Sequence, residues 1–472
     1  MNGQQPAADA GLASPPGAAV IELAHGEGLF NEPAIAVNAR DPQQLVAAFQ
    51  SPAGASYSRD GGKTWTMAKG TAPSDYQVSG DVSVTFDNQG RAFLCYIAFD
   101  KLGTENYWAR GATRNGIFVR RSPDGGRTWE ENAVTVIAQK TEPGVPFEDK
   151  PYIVADYNAH SRFAGNLYVG WTEFSLTKSV ILFSRSVDGG ARWSKPLEIS
   201  THEGLPRDDT GAVEGFTGAV GADGTLYAAW ADGSEIAFAT SRDGGQSFSR
   251  SHAILKTAPS YFALSGTYRA NGFPQIGIDR RSNRLFVSWA DYRNGDLDVF
   301  VSTSADRGKH WSEATRVNSD PLHNGADQFF QWLAVDPVDG SANLVFYDRR
   351  SDPDNHKCNF VLARSIDGGH TFANYAWTNN AFAPRGDFIG DYSGIAAYGG
   401  RVYGVWGRNA RPDEFAHQPQ SGAQASSTEK SGPNDEKQRT EKQDSAAMPE
   451  AQQKPKGKIQ VVEVGVADFS PH

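Results

Sequence analysis

The 472-residue sequence predicts an all-β fold, and two features carry that prediction. The apolar runs are short and rich in Val, Ile, Tyr, Phe and Trp, and 50 glycines and 25 prolines separate them, a pattern typical of strands joined by turns. A turn of the form Ser-x-Asp-x-Gly-x-x-aromatic also occurs six times, at intervals of 55 to 64 residues. A recurring period of this length indicates a repeat architecture, so we expect one ring or array of β-sheets.

Each repeated turn is predicted to join the two outer strands of one sheet. In the first copy, "YSRDGGKTW", the aspartate can fold its carboxylate back onto backbone amides, and the glycine supplies a positive φ. The aromatic residue that ends the turn anchors it against the sheet. We therefore expect the six aspartates to be structural rather than catalytic. They are Asp60, Asp124, Asp188, Asp243, Asp306 and Asp367.

A second element, in which two apolar strands flank a polar turn, precedes each of these turns and occurs a seventh time as "SGIAAYGGRVYGVW". Each sheet then has four strands, but the seventh stops after Trp406. We assign its missing strands to "GKIQVVEVGV" (457–466) and, from the amino terminus, "AAVIELA" (18–24). The prediction is a seven-bladed β-propeller of four-stranded antiparallel blades, closed by the N- and C-terminal strands. A six-bladed propeller is the alternative.

The same assignment divides the chain into four parts. Residues 1–17 are predicted to be a flexible N-terminal tail, and residues 18–408 to form the propeller. Residues 409–457 are rich in Gln, Ser, Glu, Lys and Pro, so we expect a disordered low-complexity insertion that cannot bury enough apolar surface to fold. Residues 458–472 should supply the C-terminal strand that completes the last blade.

Charge and composition restrict the partners. The net charge of −10 makes nucleic acid an unsuitable partner. No run of 18 apolar residues indicates a membrane span, and the first residues lack the basic and apolar regions of a signal peptide. We expect a monomer that is extracellular or periplasmic, with no signal peptide in the chain as given. Cys95 and Cys358 fall in distant repeats and are not expected to form a disulfide.

Function is predicted on the face opposite the Asp turns, because the long loops are on that face. Polar residues at the starts of the first strands and the ends of the second strands should line a central funnel there. Four arginines at second-strand ends suit a carboxylate-bearing ligand, although ion pairs and turn caps are the structural alternative. The expected funnel residues are Asn31, Glu32, Asp81, Glu148, Asp149, Lys150, Glu214, Gln275, Asp327, Gln328, Gln331, Asp387, Asp391 and Tyr392, together with Asp100, Glu173, Asp232, Asp291, Tyr292, Arg293, Asp348, Arg349, Arg350, Arg408 and Asn409.

The six turns resemble the Asp-box, or bacterial neuraminidase repeat (BNR), family, whose members include sialidases. That resemblance implies a Tyr nucleophile assisted by a Glu, an Asp acid/base and three arginines on the substrate carboxylate. Transferred to this sequence, it implies Tyr392 in "GDYSG" as the nucleophile, Glu214 in "VEGFTG" as its partner, and Asp149 or Asp81 as the acid/base. The substrate-binding candidates are Arg293, Arg349, Arg350, Arg408, Asp291 and Asp391.

The sequence departs from the sialidase pattern in two respects. The amino-terminal F-R-I-P motif that supplies the first sialidase arginine is absent, and "FNEPAIAV" has Glu32 where the arginine is expected. The predicted blade number is also seven, whereas sialidases have six. Both departures concern activity rather than fold.

Three functions follow as hypotheses. The first is a sialidase-like glycoside hydrolase of the exo-α-sialidase type, which acts on terminal acidic sugars of a glycan or glycoconjugate in the central funnel. The second is a non-catalytic glycan- or protein-binding propeller, and the third is a polysaccharide lyase. No cofactor is expected; the carboxylates could hold Ca²⁺, but no spaced ligand motif supports it. The aromatic platforms for the second would be Tyr107, Trp108, Tyr261, Phe329 and Trp332, and the loop histidines for the third His202, His323 and His356.

Overall fold

Seven four-stranded antiparallel sheets follow one another along the chain and close into a ring. This computed structural model contains no helix within the residues it describes, and the predicted seven-bladed β-propeller is confirmed. The described residues are 11–27, 30–50, 52–71, 73, 75–100, 114–140, 146–207, 211–258, 261–262, 264, 267, 269–378, 381–384, 388–411, 414–415 and 459–471.

The first strand of each blade lies innermost, and the first strands of successive blades contact one another around the axis. A short hairpin of Tyr261–Phe262 and Ala270–Asn271 lies between blades 4 and 5. From the inner to the outer strand, the blades are Ala34–Val37, Leu45–Phe49, Gly54–Ser58 and Thr66–Met67 (blade 1); Val78–Phe86, Ala92–Phe99, Asn115–Ser122 and Val134–Gln139 (blade 2); Phe147–Ala155, Leu167–Phe174, Ser179–Ser186 and Leu197–Glu198 (blade 3); Val213–Val220, Leu226–Asp232, Glu235–Ser241 and His252–Lys256 (blade 4); Gln275–Asp279, Arg284–Asp291, Asp298–Ser304 and Thr315–Arg316 (blade 5); Gln328–Val335, Ala342–Asp348, Asn359–Ser365 and Ala373–Ala376 (blade 6); Gly394–Tyr398, Arg401–Asn409, Ile459–Asp468 and Ala19–Glu27 (blade 7).

Blade 7 joins the two ends of the chain, as the strand count predicts. The amino-terminal strand Ala19–Glu27 pairs with Ile459–Asp468, from Ala19 opposite Val466 to Glu27 opposite Ile459. Ile459–Asp468 pairs on its other side with Arg401–Asn409. Closure of this kind leaves the ring without an unpaired terminal edge.

The core lies between neighbouring blades. A tryptophan at the same place in the second strand of four blades is fully buried: Trp171, Trp230, Trp289 and Trp406. Trp406 stacks on Phe360 of blade 6 at 4.5 Å between ring centroids, so these large side chains connect one blade to the next.

The Asp turns have the predicted structural role. In the first copy, Asp60 Oδ1 accepts from the Thr64 amide at 2.9 Å and from Ser58 Oγ at 2.9 Å, and Oδ2 accepts from Thr64 Oγ1 at 2.6 Å. The Thr64 hydroxyl is the main reason that the pKa of Asp60 falls to about 2. Five copies have glycine at the next position, with φ from 71° to 78°, and Arg307 takes the same conformation, at 65°, in the fifth copy. These carboxylates are thus bound to their own turns.

Parts of the predicted domain division lie outside the described residues, namely 1–10 of the tail, 412–413 and 416–457 of the insertion, and 458 of the C-terminal part. Within the described part of the tail, Ala13 O accepts from the Ala376 amide at 3.0 Å, and Pro16 O accepts from the Asp468 amide at 2.8 Å. The disulfide expectation concerns Cys95 and Cys358, which are both buried with free thiols. In the part of the chain that the structure describes, no helix is long and apolar enough to cross a membrane.

Candidate active site on the funnel floor

Irregular backbone at the start of several inner strands places polar side chains on the propeller axis. Glu32, Asp81, Lys150 and Phe330 have φ of 48°, 47°, 46° and 54°, and Gly215 has a φ of 77° at the corresponding place in blade 4. The strand register shifts beside the last four. A left-handed conformation costs a non-glycine residue roughly 1–2 kcal/mol, and such strain gathers at functional sites. Bulges of this kind also re-aim side chains next to active sites.

Lys150 is the centre of the resulting cluster, which we call the funnel floor. Its Nζ lies 3.6 Å from the centroid of the Tyr392 ring, 4.4 Å from that of Phe273 and 5.4 Å from that of Trp332. The lysine belongs to blade 3 and the rings to the starts of blades 7, 5 and 6, so one side chain links four blades. Beneath them Lys150, Tyr392, Trp332 and Tyr152 border a cavity of about 40 Å³ on the axis.

Two carboxyl groups of the funnel floor, those of Glu32 and Asp81, are hydrogen-bonded to each other. Glu32 is 2% exposed, and its Oε1 accepts from the Asp391 amide at 3.1 Å. Burial, followed by the charges of Asp81 and Asp391, raises the pKa of Glu32 well above its ordinary range. A hydrogen bond between the Glu32 and Asp81 side chains acts in the same direction. These surroundings therefore favour the protonated form of Glu32, and Asp81 is the carboxyl group hydrogen-bonded to it.

Lys150 is held to this pair by its backbone as well as by its charge. Its amide donates to Asp81 Oδ2 at 3.2 Å and to Asp149 Oδ1 at 2.8 Å. Burial is the largest influence on Lys150 and leaves its pKa below the ordinary value, although the neighbouring carboxylates, Asp81 and Glu32 first, oppose that shift. The carboxylates thus favour the charged ammonium in a site that water barely reaches.

Tyr392 is a buried phenol that stays protonated in this environment. Burial raises its pKa well above the ordinary value, and the charges of Glu32, Asp81, Asp391 and Asp149 raise it further. A nucleophilic Tyr392 would therefore have to pass its proton to a carboxylate as it attacks. Asp81 and Asp149 are carboxylates whose charges act on the tyrosine, so they are its candidate bases.

An arginine that sequence reasoning missed completes the funnel floor. Arg269 Nε donates to Asp391 Oδ1 at 2.7 Å, and Nη2 donates to the other carboxylate oxygen. It lies in the long connection between blades 4 and 5, which also contributes Phe273. The loop length was visible in the sequence, but no local pattern indicated that this arginine reaches the carboxylate before Tyr392.

The four predicted ligand arginines form ion pairs with carboxylates. Arg293 binds Asp291 at 2.6 Å, and Arg350 binds Asp348 at 2.5 Å, both only two residues away in sequence. Arg408 lies between Glu414 at 2.5 Å and Glu463 at 2.7 Å. The fully buried Arg349 donates to Asn355 O at 2.8 Å and lies 3.9 Å from Asp327. These pairs hold loops and strand ends, and a role for the arginines in ligand binding stays a prediction.

The other predicted site residues divide between the funnel floor and its surroundings. The cluster contains Tyr392, whose ring contacts Lys150. It also contains four carboxyl groups that act electrostatically on Tyr392 or Lys150, namely Asp81, Asp149, Asp391 and Glu214. Among the predicted residues, Asp291 is bound by Trp289 Nε1 at 2.8 Å and by Arg293. His202, His323 and His356 are exposed. Asp387, Tyr107, Trp108 and the Tyr261 side chain lie outside the described residues.

Sequence reasoning placed Glu32 and Lys150 in the funnel but gave them no chemical role. Within the residues that the structure describes, no group of three or more His, Cys, Asp or Glu side chains could hold a metal ion.

Comparisons with known proteins agree with the fold. The BNR/Asp-box repeat family matches residues 56–67, the first Asp turn. No curated protein sequence is significantly similar to the chain.

Three solved structures are similar to the chain at low identity. The Hadza microbial sialidase Hz136 is 16% identical over 77% of this chain and 70% of its own, with a TM-score of 0.47. A leech intramolecular trans-sialidase is 15% identical over 74% and 68%, with a TM-score of 0.46. A PL25 ulvan lyase is 10% identical over 80% and 92%, with a TM-score of 0.47. The chain is a seven-bladed β-propeller that carries BNR/Asp-box repeats.

Proposed function

We propose that the chain is a glycan-active propeller and that its funnel floor is a sialidase-like glycoside hydrolase site for terminal sugars. The observation that carries this proposal is the hydrogen-bonded pair of Glu32 and Asp81 beside the buried Tyr392, where burial raises the pKa of Glu32 well above its ordinary range. Glycoside cleavage needs a carboxylic acid that is still protonated at working pH and a second group that attacks or stabilises the anomeric carbon. The funnel floor offers both on the axis of the propeller.

In the proposed reaction, Glu32 donates its proton to the oxygen of the leaving group. Tyr392 Oη attacks the anomeric carbon, and its phenolic proton passes to the carboxylate of Asp81 or Asp149. Water then cleaves the aryl glycoside: Glu32, now a carboxylate, accepts a proton from that water, and Asp81 or Asp149 returns the phenolic proton to the departing Tyr392 oxygen. The sequence analysis expected Tyr392 as the nucleophile, Asp149 or Asp81 as the acid/base and Glu214 as the partner of the tyrosine. This proposal keeps Tyr392, gives the acid/base role to Glu32 and gives the role of proton acceptor to Asp81 or Asp149.

The exo-α-sialidase form of this proposal derives from the resemblance of the Asp turns and from the Tyr–carboxylate cluster. A terminal acidic sugar is therefore the first substrate to test. Neutral and amino sugars belong in the same panel, because five carboxyl groups surround the two cations Lys150 and Arg269 in the described part of the funnel floor.

The test is turnover of fluorogenic sialosides and of aryl glycosides of acidic, neutral and amino sugars by the full chain. Tyr392→Phe and Glu32→Gln should each lower turnover on the active substrate by about 10²-fold or more. The matched control is Tyr398→Phe, at the opposite end of the same inner strand, where the hydroxyl donates to Ala39 O at 3.0 Å. It should retain turnover within about twofold.

Each other outcome contradicts the proposal in its own way. Full turnover by Tyr392→Phe and Glu32→Gln would refute the assigned residues. Glycan-array binding without turnover on any sugar would favour the binding function instead. An unsaturated product that absorbs in the ultraviolet would identify a lyase.

A further inference from the structure

The lysine of the funnel floor is an unusual residue to find in this position. Lys150 is 7% exposed, and its backbone has a φ of 46°, a conformation that lysine rarely adopts. A long flexible cation also loses much rotamer freedom when it is buried. Neither cost is offset by packing alone, because a shorter apolar residue would fill the axis without burying a charge.

Three aromatic faces account for part of the compensation. The ammonium lies over Tyr392, Phe273 and Trp332, each within 6 Å, and a desolvated contact of this type contributes up to about 2 kcal/mol. The shortest contact, 3.6 Å, is with Tyr392. A cation over the ring face fixes the ring without using its hydroxyl group, which therefore stays available for chemistry.

Carboxyl groups from four other blades also stabilise the buried charge of Lys150. Glu32 comes from blade 1, Asp81 from blade 2, Glu214 from blade 4 and Asp391 from blade 7, and all four act electrostatically on the ammonium. Asp149, the neighbour of Lys150 in blade 3, acts on Tyr392. Of the two cations in the described cluster, Arg269 is engaged by both oxygens of Asp391. Lys150 is thus the cation that faces the Glu32–Asp81 pair.

We propose that Lys150 is the positioning residue of the funnel floor: its ammonium fixes the Tyr392 ring and balances the charge of the carboxyl groups around it. Its catalytic meaning rests on the proposed function, whereas its electrostatic role does not. Without this charge, Asp81 and Asp391 would face Glu32 with less compensation. Glu32 would then keep its proton to higher pH.

The test is an infrared pH titration of protonated carboxyl groups in the folded full chain, which needs no substrate. The infrared band of the parent protein that is lost in Glu32→Gln is the band of the protonated Glu32 carboxyl group. Lys150→Met keeps most of the side-chain length without the charge, and we expect the midpoint of that band to move up by about one pH unit or more. Lys150→Arg should return the midpoint toward the parent value. The control is Lys178→Met, in the same blade but outside the funnel floor, where the lysine binds Glu203 at 2.7 Å.

A band that titrates alike in the parent protein and in folded Lys150→Met would overturn the proposal, since a lysine that only fills space would leave it unmoved. If Lys150→Met does not fold, the double variant Lys150→Met/Glu32→Gln decides. Folding restored by removal of one carboxyl group supports the charge-balancing role, and a double variant that also fails to fold refutes it. Absence of turnover on every sugar would remove the proposed hydrolase but would not alter the titration.

Discussion

The first two strands of blade 3 contain a pair of glutamates, Glu148 and Glu173. This pair predicts how the stability of the propeller depends on pH. Glu148 is fully buried and lies directly opposite Glu173 in the strand pairing. Its Oε1 accepts from Gln139 Nε2 at 2.7 Å, and its Oε2 accepts from Trp171 Nε1 at 2.5 Å. Burial first, and then the charge of Glu173, raises the pKa of Glu148 from 4.5 to about 8.

The sign of the effect follows from proton binding in the two states. Between about pH 4.5 and pH 8 the folded chain keeps a proton on Glu148 that the unfolded chain has lost. The free energy of unfolding must therefore fall as pH rises through this window, by up to about 1.4 kcal/mol per pH unit from this group, and the loss ends above about pH 8. Across the window the total is roughly 5 kcal/mol.

The perturbation is Glu148→Gln, which cannot ionise. It removes one acceptor from Gln139 or Trp171, at a cost of about 1 kcal/mol that does not depend on pH. The free energy of unfolding of this variant should fall less steeply between about pH 5 and pH 8 than that of the parent protein, by up to one proton's worth of slope. The variant gains stability relative to the parent as pH rises.

Urea unfolding followed by tryptophan fluorescence at a series of pH values measures both slopes. Because Glu32 also has a raised pKa and adds to the slope of the parent, the difference between the two proteins is the quantity to compare. Glu131→Gln, on the exposed connection after the second Asp turn, is the matched control and should keep the parent slope. Equal slopes in the parent and Glu148→Gln would refute the assignment of the proton to this pair.

Two further predictions concern the contacts that close the ring. Tyr347 Oη donates to Gly407 O at 2.7 Å and accepts from Gly407 N at 3.1 Å, so Tyr347→Phe leaves two buried backbone groups without a partner and should lower the free energy of unfolding by about 2–4 kcal/mol. Urea denaturation checks this, with the half-buried Tyr398→Phe expected to lose about 1 kcal/mol or less; equal losses would contradict it. A chain without residues 1–27 lacks the outer strand of blade 7 and exposes the edge of Ile459–Asp468, so it should melt at a lower temperature and associate through that edge. Thermal unfolding and size-exclusion chromatography measure both effects, and an unchanged monomer with unchanged melting would refute the importance of the closure.

The architecture could be predicted from the sequence because its signals are local. In each Asp turn the aspartate carboxylate accepts hydrogen bonds from residues at most four positions away, as Asp60 does from Thr64 and Ser58. The turn can therefore be predicted without information about distant contacts. The seventh blade could be predicted from the number of strands. Its second strand ends near Trp406, so the blade needed two more strands, and only the two ends of the chain could supply them. The ion pairs of Arg293 with Asp291 and of Arg350 with Asp348 are similarly local, and the sequence had already offered this structural alternative.

Only the tertiary structure decided which polar residues meet. More than one hundred residues of sequence separate any two of Lys150, Tyr392, Glu32 and Arg269. Each of the four belongs to a different blade or connection. Their meeting depends on left-handed backbone at Glu32, Asp81 and Lys150, which no composition or period reveals. The raised pKa of Glu32 likewise arises from burial and from carboxylates of other blades, because a pKa is a property of the surroundings of a group rather than of its sequence neighbours. Turn residues and the number of strands in the sequence thus determined the propeller fold, and long-range electrostatic contacts at its axis determined the site.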